Sequence, residues 1–196
     1  MTAAGNGAPV VAAGDGAPVV AAGDPIAEGI RARLRDVPDF PLAGVQFKDI
    51  MPLLADADFF GRCIDALAQL PAAADAELIA GVEARGFIVA AALARAARAG
   101  IVAVRKAGKL PPPTLSISYA LEYGTAEIEV AAGVLAGKRV FLVDDVLATG
   151  GTLAAAIELI TSAGATVTGV GVLVELTALS GRARLDGHQV CSLLSL

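Results

Sequence analysis

The sequence predicts an α/β fold in which a central, mostly parallel sheet is flanked by helices. Residues 140–143 are four consecutive apolar residues, typical of a strand buried on both faces of a parallel sheet. Leu153, Ile157 and Ile160 then recur at helical spacing, and Gly164 follows as a helix end. A 56% apolar composition in 196 residues is ample for the core of one domain.

Two acids and a loop of small and hydroxyl residues lie between that strand and that helix. These residues are Asp144, Asp145, Val146, Leu147, Ala148, Thr149, Gly150, Gly151 and Thr152. Glycines let backbone N–H groups approach a ligand and threonines add hydroxyl donors, so the loop fits a phosphate. Ionised Asp144 and Asp145 accept hydrogen bonds and fit ribose hydroxyls or a hydrated divalent cation. Ligands bind at the carboxyl ends of strands in open α/β sheets, so the pattern predicts a ribose 5-phosphate site. The alternative is solvated acids ahead of an ordinary capped helix.

The composition restricts the class of protein. A net charge of −5 and a pI near 4.8 argue against a nucleic-acid-binding surface. Cys63 and Cys191 fit no metal-ligand or Cys-x-x-Cys pattern, which favours buried thiols in a reducing cytosol. His188 is the only histidine, so a site built from several histidines is excluded. No apolar stretch is long enough to span a membrane, and we expect a cytoplasmic protein.

The N-terminal 24 residues differ in composition from the rest of the chain. Residues 3–11 and 12–20 form a nine-residue tandem repeat rich in Gly, Ala and Pro, without large side chains to bury. A signal peptide is disfavoured because no Lys or Arg precedes the short apolar runs. We therefore expect a disordered tail at 1–24 and a single folded domain at 25–196.

The first half of that domain predicts helices and strands in alternation. Ile26, Ile30 and Leu34 indicate a helix that ends before Pro38, whereas residues 39–49 are too rich in Pro and Gly for regular structure. The next predicted elements are a helix N-capped by Asp58 and ended by Pro71, a strand at 78–80, a loop at 81–85, a helix at 86–99 capped by Gly100, and a strand at 101–104.

Residues 105–124 predict a lid, because this segment is polar at its start and contains three consecutive prolines. Residues 116–119 and 126–130 alternate as half-exposed strands, which indicates a hairpin with Glu122 near its tip. Residues 165–176 and 189–194 predict two further strands.

Five stretches of the chain together resemble one known family. Residues 140–152 resemble the phosphoribosyl-pyrophosphate motif of type I phosphoribosyltransferases. Residues 83–87, 105–111, 121–124 and 173–176 resemble, in order and spacing, the adenine phosphoribosyltransferases. The similarity runs from about Ile26 to the C-terminus. It implies the type I phosphoribosyltransferase fold, with a flexible lid hairpin and a small hood.

The resemblance also implies an activity, which is transfer of phosphoribose from phosphoribosyl pyrophosphate to adenine, giving AMP and pyrophosphate. Magnesium (Mg2+) would arrive on phosphoribosyl pyrophosphate, with no dedicated protein ligand, and the protein would be a homodimer. Asp144 and Asp145 would bind ribose and 148–152 the 5-phosphate. The residues assigned to the diphosphate are Arg85, Arg105, Lys106 and Lys109.

The same resemblance assigns the adenine pocket and the lid. Phe47 would stack on adenine, flanked by Gln46 and Lys48, with Val146 as the opposite wall. Gln46 stands where the family has an apolar residue, a departure that bears on base preference but leaves recognition by the backbone possible. On the lid, Glu122 would be the acid/base group and Tyr123 would close the site, while Asp144, Asp145 and Arg85 complete the catalytic set.

Two other classes of protein share part of this pattern. A receiver-type signalling domain also places adjacent acids after a strand, but it needs a longer C-terminal half than the roughly fifty residues that follow Asp145. A non-catalytic purine or phosphoribosyl-pyrophosphate sensor on the same fold would normally carry a basic DNA-binding extension, whereas the extension here is acidic.

Overall fold

A seven-stranded sheet forms the centre of the structure, a computed structural model that describes residues 23–40, 42–121 and 124–196. The sheet strands are β3 (Leu78–Val82), β4 (Gly100–Lys106), β5 (Thr114–Leu121), β6 (Gly124–Ala131), β7 (Arg139–Leu147), β8 (Thr166–Glu175) and β9 (Val190–Ser195). Their spatial order is β5-β6-β4-β3-β7-β8-β9. Strands β4, β3, β7, β8 and β9 are mutually parallel, and β5 and β6 extend the sheet as an antiparallel hairpin. The predicted mostly parallel sheet is confirmed.

The other elements cover the two faces of the sheet or form a small hood. The helices are α1 (Pro25–Arg33), α2 (Met51–Ala55), α3 (Ala57–Ala68), α4 (Pro71–Ala74), α5 (Gly86–Ala97) and α6 (Gly151–Ser162), with 3₁₀ helices at Thr177–Leu179 and Gly181–Leu185. The hood is an antiparallel pair of short strands, β1 (Arg35–Pro38) and β2 (Gln46–Asp49). Within the described residues, no helix combines the length and the hydrophobicity that crossing a membrane requires.

Strand β7 is buried on both faces, as its apolar run predicts. Phe141 and Val143 belong to the core cluster formed with α1, α3 and α5, whereas Val140 and Leu142 belong to the cluster formed with α6. This alternation follows from the two-residue period of a strand. Because helices cover both faces, the strand is fixed in place and its carboxyl end is a rigid support for polar groups.

Several predicted boundaries are wrong. The cap of α3 is Asp56, whose carboxylate accepts the N–H of Phe59 at 3.0 Å, rather than Asp58. Arg98 ends α5 in the left-handed conformation at φ 56°, and Gly100 is instead the first residue of β4. Strand β7 continues through both acids to Leu147, so Asp144 and Asp145 lie within the strand.

The segments at 39–49 and 105–124 are more regular than predicted. Residues 46–49 form β2 and pair with β1 in the hood, because cross-strand partners such as Asp36 and Lys48 offset the turn-forming composition between them. Arg105 and Lys106 end β4, where they pair with Glu129 and Ile128 of β6. The predicted hairpin is confirmed, but it is joined to the central sheet.

Helix α1 begins at Pro25. Asp24, which was assigned to the tail, caps this helix by accepting the N–H of Ile26 at 2.6 Å. The predicted tail otherwise lies at residues 1–22, outside the described residues, as do the predicted lid residues Glu122 and Tyr123.

Candidate functional site

Asp144 and Asp145 stand at the carboxyl end of β7, beside β3 and β8. Asp145 is 4% exposed, whereas Asp144 keeps partial exposure. Burial of the carboxyl group, and then the neighbouring charge of Asp145, raise the pKa of Asp144 well above its ordinary value. Two acids crowded in this way gain from a partner that donates hydrogen bonds or carries positive charge.

Arg85 is such a partner and lies at the N-cap of α5. Its Nε is 2.9 Å from Oδ2 of Asp145, which makes an ion pair. Within the described residues the same oxygen accepts no hydrogen bond. This buried carboxylate oxygen therefore keeps capacity to accept a further hydrogen bond.

The predicted phosphate loop, residues 148–152, leads from β7 into the first turn of α6. Gly150 adopts φ +79°, a left-handed conformation that favours glycine, and Gly151 and Thr152 begin the helix. The N–H groups of a first helical turn have no intrahelical acceptor, and the helix dipole adds positive potential. The hydroxyl groups of Thr152 and Tyr119 are 3.3 Å apart, so the β5–β6 hairpin contacts this loop.

The predicted diphosphate cations converge at the carboxyl ends of β3 and β4. Arg105 Nε and Lys109 Nζ donate to the carboxylate of Glu83 at 3.3 and 2.7 Å, and the backbone N–H of Lys106 donates at 3.0 Å. Glu83 lies two residues before Arg85. The hydrogen bond from Lys109 is the main reason that the pKa of Glu83 is lowered to about 2.

A second carboxylate fixes the loop that carries Lys109. Glu129 is buried on β6, and its Oε1 accepts the backbone N–H groups of Lys109 and Leu110 at 2.7 and 2.8 Å. These backbone bonds, Leu110 first, lower the pKa of Glu129. The segment around Lys109 is thus attached to the sheet by two carboxylates. Glu129 binds its backbone, and Glu83 binds the Lys109 side chain.

The hood brings Phe47 over the same region. The Phe47 ring centroid lies 5.0 Å from Cζ of Arg85, and the ring packs edge-on against Phe40 at 5.1 Å. Phe47 is half-buried, so one part of its ring remains available. The hood is therefore connected to the strand-end acids through Arg85, which contacts both the Phe47 ring and Asp145.

The remaining predicted base residues are placed differently. Lys48 directs its ammonium group away from the Phe47 face of β2, to Asp36 at 2.6 Å, and Gln46 is exposed. The side chains of Gln46 and Lys48 lie on the face of β2 opposite to Phe47. Beside the Phe47 ring, these two residues would therefore recognise a base through their backbone groups. Val146 lies on β7 and packs against the core cluster that this strand forms with α1, α3 and α5.

Glu83 and Gly86 belong to the motif at residues 83–87, and the sequence alone assigns neither of them a role. Glu83 follows the buried strand directly, which is the position that also made Arg85 a candidate, so strand-end polarity could have found it. A Cβ atom built on Gly86 would lie 2.8 Å from Oδ1 of Asp144, a close contact that sequence spacing does not reveal. Glu122 and Tyr123 fall outside the described residues.

Comparison with known proteins gives one consistent result. A sequence model of the phosphoribosyl transferase domain matches residues 55–191. An adenine phosphoribosyltransferase of Mycolicibacterium gilvum is 56% identical over 173 residues, which are 87% of this chain and 96% of that protein.

Solved structures agree with the sequence comparison. The crystal structure of adenine phosphoribosyltransferase from Thermoanaerobacter pseudethanolicus is 47% identical with a TM-score of 0.83, over 86% of this chain and 99% of that one. The Saccharomyces cerevisiae enzyme, in complex with an imino-altritol bisphosphate and adenine, is 35% identical with a TM-score of 0.78, over 86% and 98%. This chain therefore belongs to the phosphoribosyltransferase family, and the relatives named here are adenine phosphoribosyltransferases.

Proposed function

We propose that the chain is a purine salvage enzyme that converts adenine and phosphoribosyl pyrophosphate to AMP and pyrophosphate. The observation that carries the proposal is the convergence of three sub-sites at one sheet edge. These are the phosphate loop, the acid pair of β7, and the cations around Glu83. Relatives at up to 59% identity bear the name adenine phosphoribosyltransferase, which supports the choice of reaction.

The reaction needs positive charge where diphosphate departs. Negative charge grows on the leaving oxygens in the transition state, so fixed cations there lower the barrier. Arg85, Arg105, Lys106 and Lys109 are the residues proposed for this role. Because Arg105 and Lys109 contact Glu83 in the structure, diphosphate would share or exchange these partners on binding.

The reaction needs negative charge near the ribose. Positive charge grows on the anomeric carbon as the bond to diphosphate lengthens, and the carboxylates of Asp144 and Asp145 would favour it. They would also accept hydrogen bonds from the ribose hydroxyls. The position of both acids at the carboxyl end of β7, just before residues 148–152, supports this assignment.

Adenine would bind under the hood. Phe47 would stack on the ring while the backbone beside it, at Gln46 and Lys48, reads the base edge, and Val146 would form the facing wall. Adenine loses a ring proton as the new bond forms, and Glu122 is proposed to accept it once the lid closes. The adenine in the complex of the yeast relative supports a purine as the acceptor.

Magnesium is proposed to accompany phosphoribosyl pyrophosphate. The carboxylates of Asp144 and Asp145 are hard oxygen acceptors that fit the water shell of a divalent cation. Within the described residues there is no group of three acidic, histidine or cysteine side chains that would bind a metal alone. Bound magnesium would neutralise charge on the departing diphosphate.

The decisive experiment is AMP formation from labelled adenine, phosphoribosyl pyrophosphate and magnesium. AMP and pyrophosphate in equal amounts are the expected result. Binding of both substrates without product would instead support the alternative, a purine or phosphoribosyl-pyrophosphate sensor on the same fold. Omitting magnesium, and replacing adenine by other purines, would test the cofactor and the base preference in the same assay.

Two finer proposals concern assembly and location. We propose a homodimer, which sedimentation equilibrium would reveal as twice the 19.5 kDa chain mass. Exposed Ile88 and Ile101 are apolar side chains that a partner could cover. We propose a cytoplasmic location because Cys63 and Cys191 are both buried free thiols, as expected in a reducing compartment.

A further inference from the structure

The family motif at residues 173–176 contains a buried acid, Glu175, which has no part in the reaction proposed above. Its carboxylate accepts hydrogen bonds from Nε of Arg182 at 2.9 Å and from the Ser192 hydroxyl at 2.8 Å, and a second bond from Arg182. Burial alone would raise the pKa of Glu175, but the hydrogen bonds from Arg182 and Ser192 lower it. Arg182 also donates to the carbonyl of Val190 at 2.7 Å. The 3₁₀ helix Gly181–Leu185 is therefore fastened to β8 and β9.

This 3₁₀ helix packs directly against the phosphate loop. A Cβ atom built on Gly181 would lie 2.0 Å from the carbonyl oxygen of Ala148, and one on Gly150 would lie 2.3 Å from the carbonyl oxygen of Gly181. The two backbones touch without intervening side chains. The backbone of the 3₁₀ helix is therefore held against the loop, and residues that follow Gly181 in this helix start close to it.

The same 3₁₀ helix carries Arg184, three residues after Gly181. Its Nη1 lies 3.5 Å from the position of a Cβ atom built on Gly151, the first residue of α6. Among the described residues Arg184 makes no ion pair with a carboxylate, although Arg182 beside it does. Its exposed guanidinium thus lies beside the start of α6 without a carboxylate partner among the described residues.

The electrostatics of the loop call for such a charge. Residues 148–152 contain no basic side chain, and two acids precede them at 144 and 145 in a chain of net charge −5. Backbone N–H groups alone would have to offset the charge of a phosphate beside those carboxylates. A guanidinium offers planar, paired donors that match phosphate oxygens.

We propose that Arg184 is a further binding residue of the 5-phosphate site, set in place by the Glu175–Arg182 ion pair through Gly181. The inference rests on the proposed function, because it takes 148–152 as the loop that binds the 5-phosphate of the substrate. It adds a contact from a separate segment of the chain, about thirty residues beyond that loop.

The test compares Arg184→Ala, Arg184→Lys and a matched control, Arg95→Ala, in the full-length protein. Arg95 is an exposed arginine in the last turn of α5, at the opposite end of that helix from Arg85. For Arg184→Ala we expect KM for phosphoribosyl pyrophosphate to rise about 10- to 100-fold, as for loss of a hydrogen bond to a charged group. KM for adenine and the melting temperature should stay unchanged, and Arg184→Lys should recover most of the loss.

A direct binding measurement separates this site from the diphosphate site. Calorimetric titration should show weaker binding of ribose 5-phosphate to Arg184→Ala, and unchanged binding of inorganic pyrophosphate. Unchanged ribose 5-phosphate binding, or an equal loss for adenine, would overturn the inference while leaving the proposed function intact. Failure of the unaltered protein to form AMP would instead overturn the proposed function, whereas ribose 5-phosphate binding would still report on Arg184.

Discussion

Gly86 and Asp144 meet so closely that no side chain fits between them. A Cβ atom on Gly86 would lie 2.8 Å from Oδ1 of Asp144, and the backbone carbonyl of Val143 would be 3.2 Å away. The first turn of α5 therefore closes over the acid pair of β7. This contact adds to the burial that, together with the neighbouring charge of Asp145, raises the pKa of Asp144.

Asp144→Asn and Asp145→Asn should each weaken the use of phosphoribosyl pyrophosphate. Hydrogen bonds to a charged group contribute roughly 1.5–3 kcal/mol, so kcat/KM for this substrate should fall about 10- to 150-fold, with adenine KM nearly unchanged. Steady-state kinetics with each substrate varied in turn measures both. Asp58→Asn, which changes an exposed aspartate outside the site, is the matched control.

Asp144→Asn should also raise the melting temperature slightly at neutral pH. Because the native pKa of Asp144 is raised, the ionised carboxyl costs stability, and that cost develops as pH rises from the ordinary pKa through the native one. The gain of the variant should therefore shrink in acid. An unchanged response to phosphoribosyl pyrophosphate, or a collapse of the fold, would mean that the acid pair is structural.

Glu83→Gln should reduce stability with the opposite pH dependence. The native pKa of Glu83 is lowered to about 2, so its contribution is present above the ordinary value near 4.5 and is lost as pH falls toward 2. We expect a loss of about 1–3 kcal/mol in the free energy of unfolding at pH 7, from denaturant titrations. Glu158→Gln, at an exposed position of α6, is the control. A loss that persists undiminished to the lowest accessible pH would refute the ion-pair explanation.

Gly150→Ala should damage both the fold and the 5-phosphate site, whereas Gly187→Ala should not affect the site. The two glycines have similar φ values, +79° and +83°, so each alanine incurs backbone strain of about 1–2 kcal/mol. Only at Gly150 would the new Cβ also meet a backbone atom, the Gly181 carbonyl, at 2.3 Å. Melting curves and KM for phosphoribosyl pyrophosphate would be compared. Equal behaviour of the two variants would contradict the close packing.

Removal of residues 1–22 should leave melting temperature and activity unchanged, because a segment that buries little contributes little to folding. Deletion must stop before Asp24, whose carboxylate caps α1. Asp24→Ala in the full chain should cost about 1 kcal/mol, the usual effect of losing an N-cap. A large drop in melting temperature for the protein lacking 1–22 would show that this segment packs against the domain.

Glu122→Ala should lower kcat about 100- to 10,000-fold, since general acid/base help operates in the transition state, while the binding of both substrates changes little. Turnover and substrate binding would be measured on the same preparation. A fall in kcat of less than about fivefold, with the fold intact, would assign the lid to excluding water and not to proton transfer.

The parts of the fold that follow from local periodicity could be predicted from sequence. The run 140–143 and the stripe of Leu153, Ile157 and Ile160 predicted β7 and α6, because burial on both faces leaves a direct trace in composition. The predicted ends of helices and strands were wrong where a single hydrogen bond or a cross-strand pairing determines the end of the element. Asp56 and Asp58 are equally good caps as residue types, and only the chain geometry selects Asp56.

Candidate site residues were predictable where they lie at the carboxyl end of a strand or shortly after it. Arg85, Asp144 and Asp145 could be found in this way, because strand ends of parallel sheets meet at one edge. Gly181 and Arg184 could not, since they reach the phosphate loop from a 3₁₀ helix about thirty residues later, and no periodic pattern links the two segments. Tertiary contact of this kind leaves no local signal.

The phosphate loop consequently cannot be expected to keep its conformation outside this fold. Its conformation depends on a backbone surface supplied by Gly181, so a transplant of residues 144–152 into another scaffold would lack its support. The same dependence makes the two glycines epistatic. Once one glycine has been replaced and the loop has shifted, replacing the other should lower the free energy of unfolding by less than it does in the unaltered chain. The deviation from additivity measures how tightly the two segments are coupled.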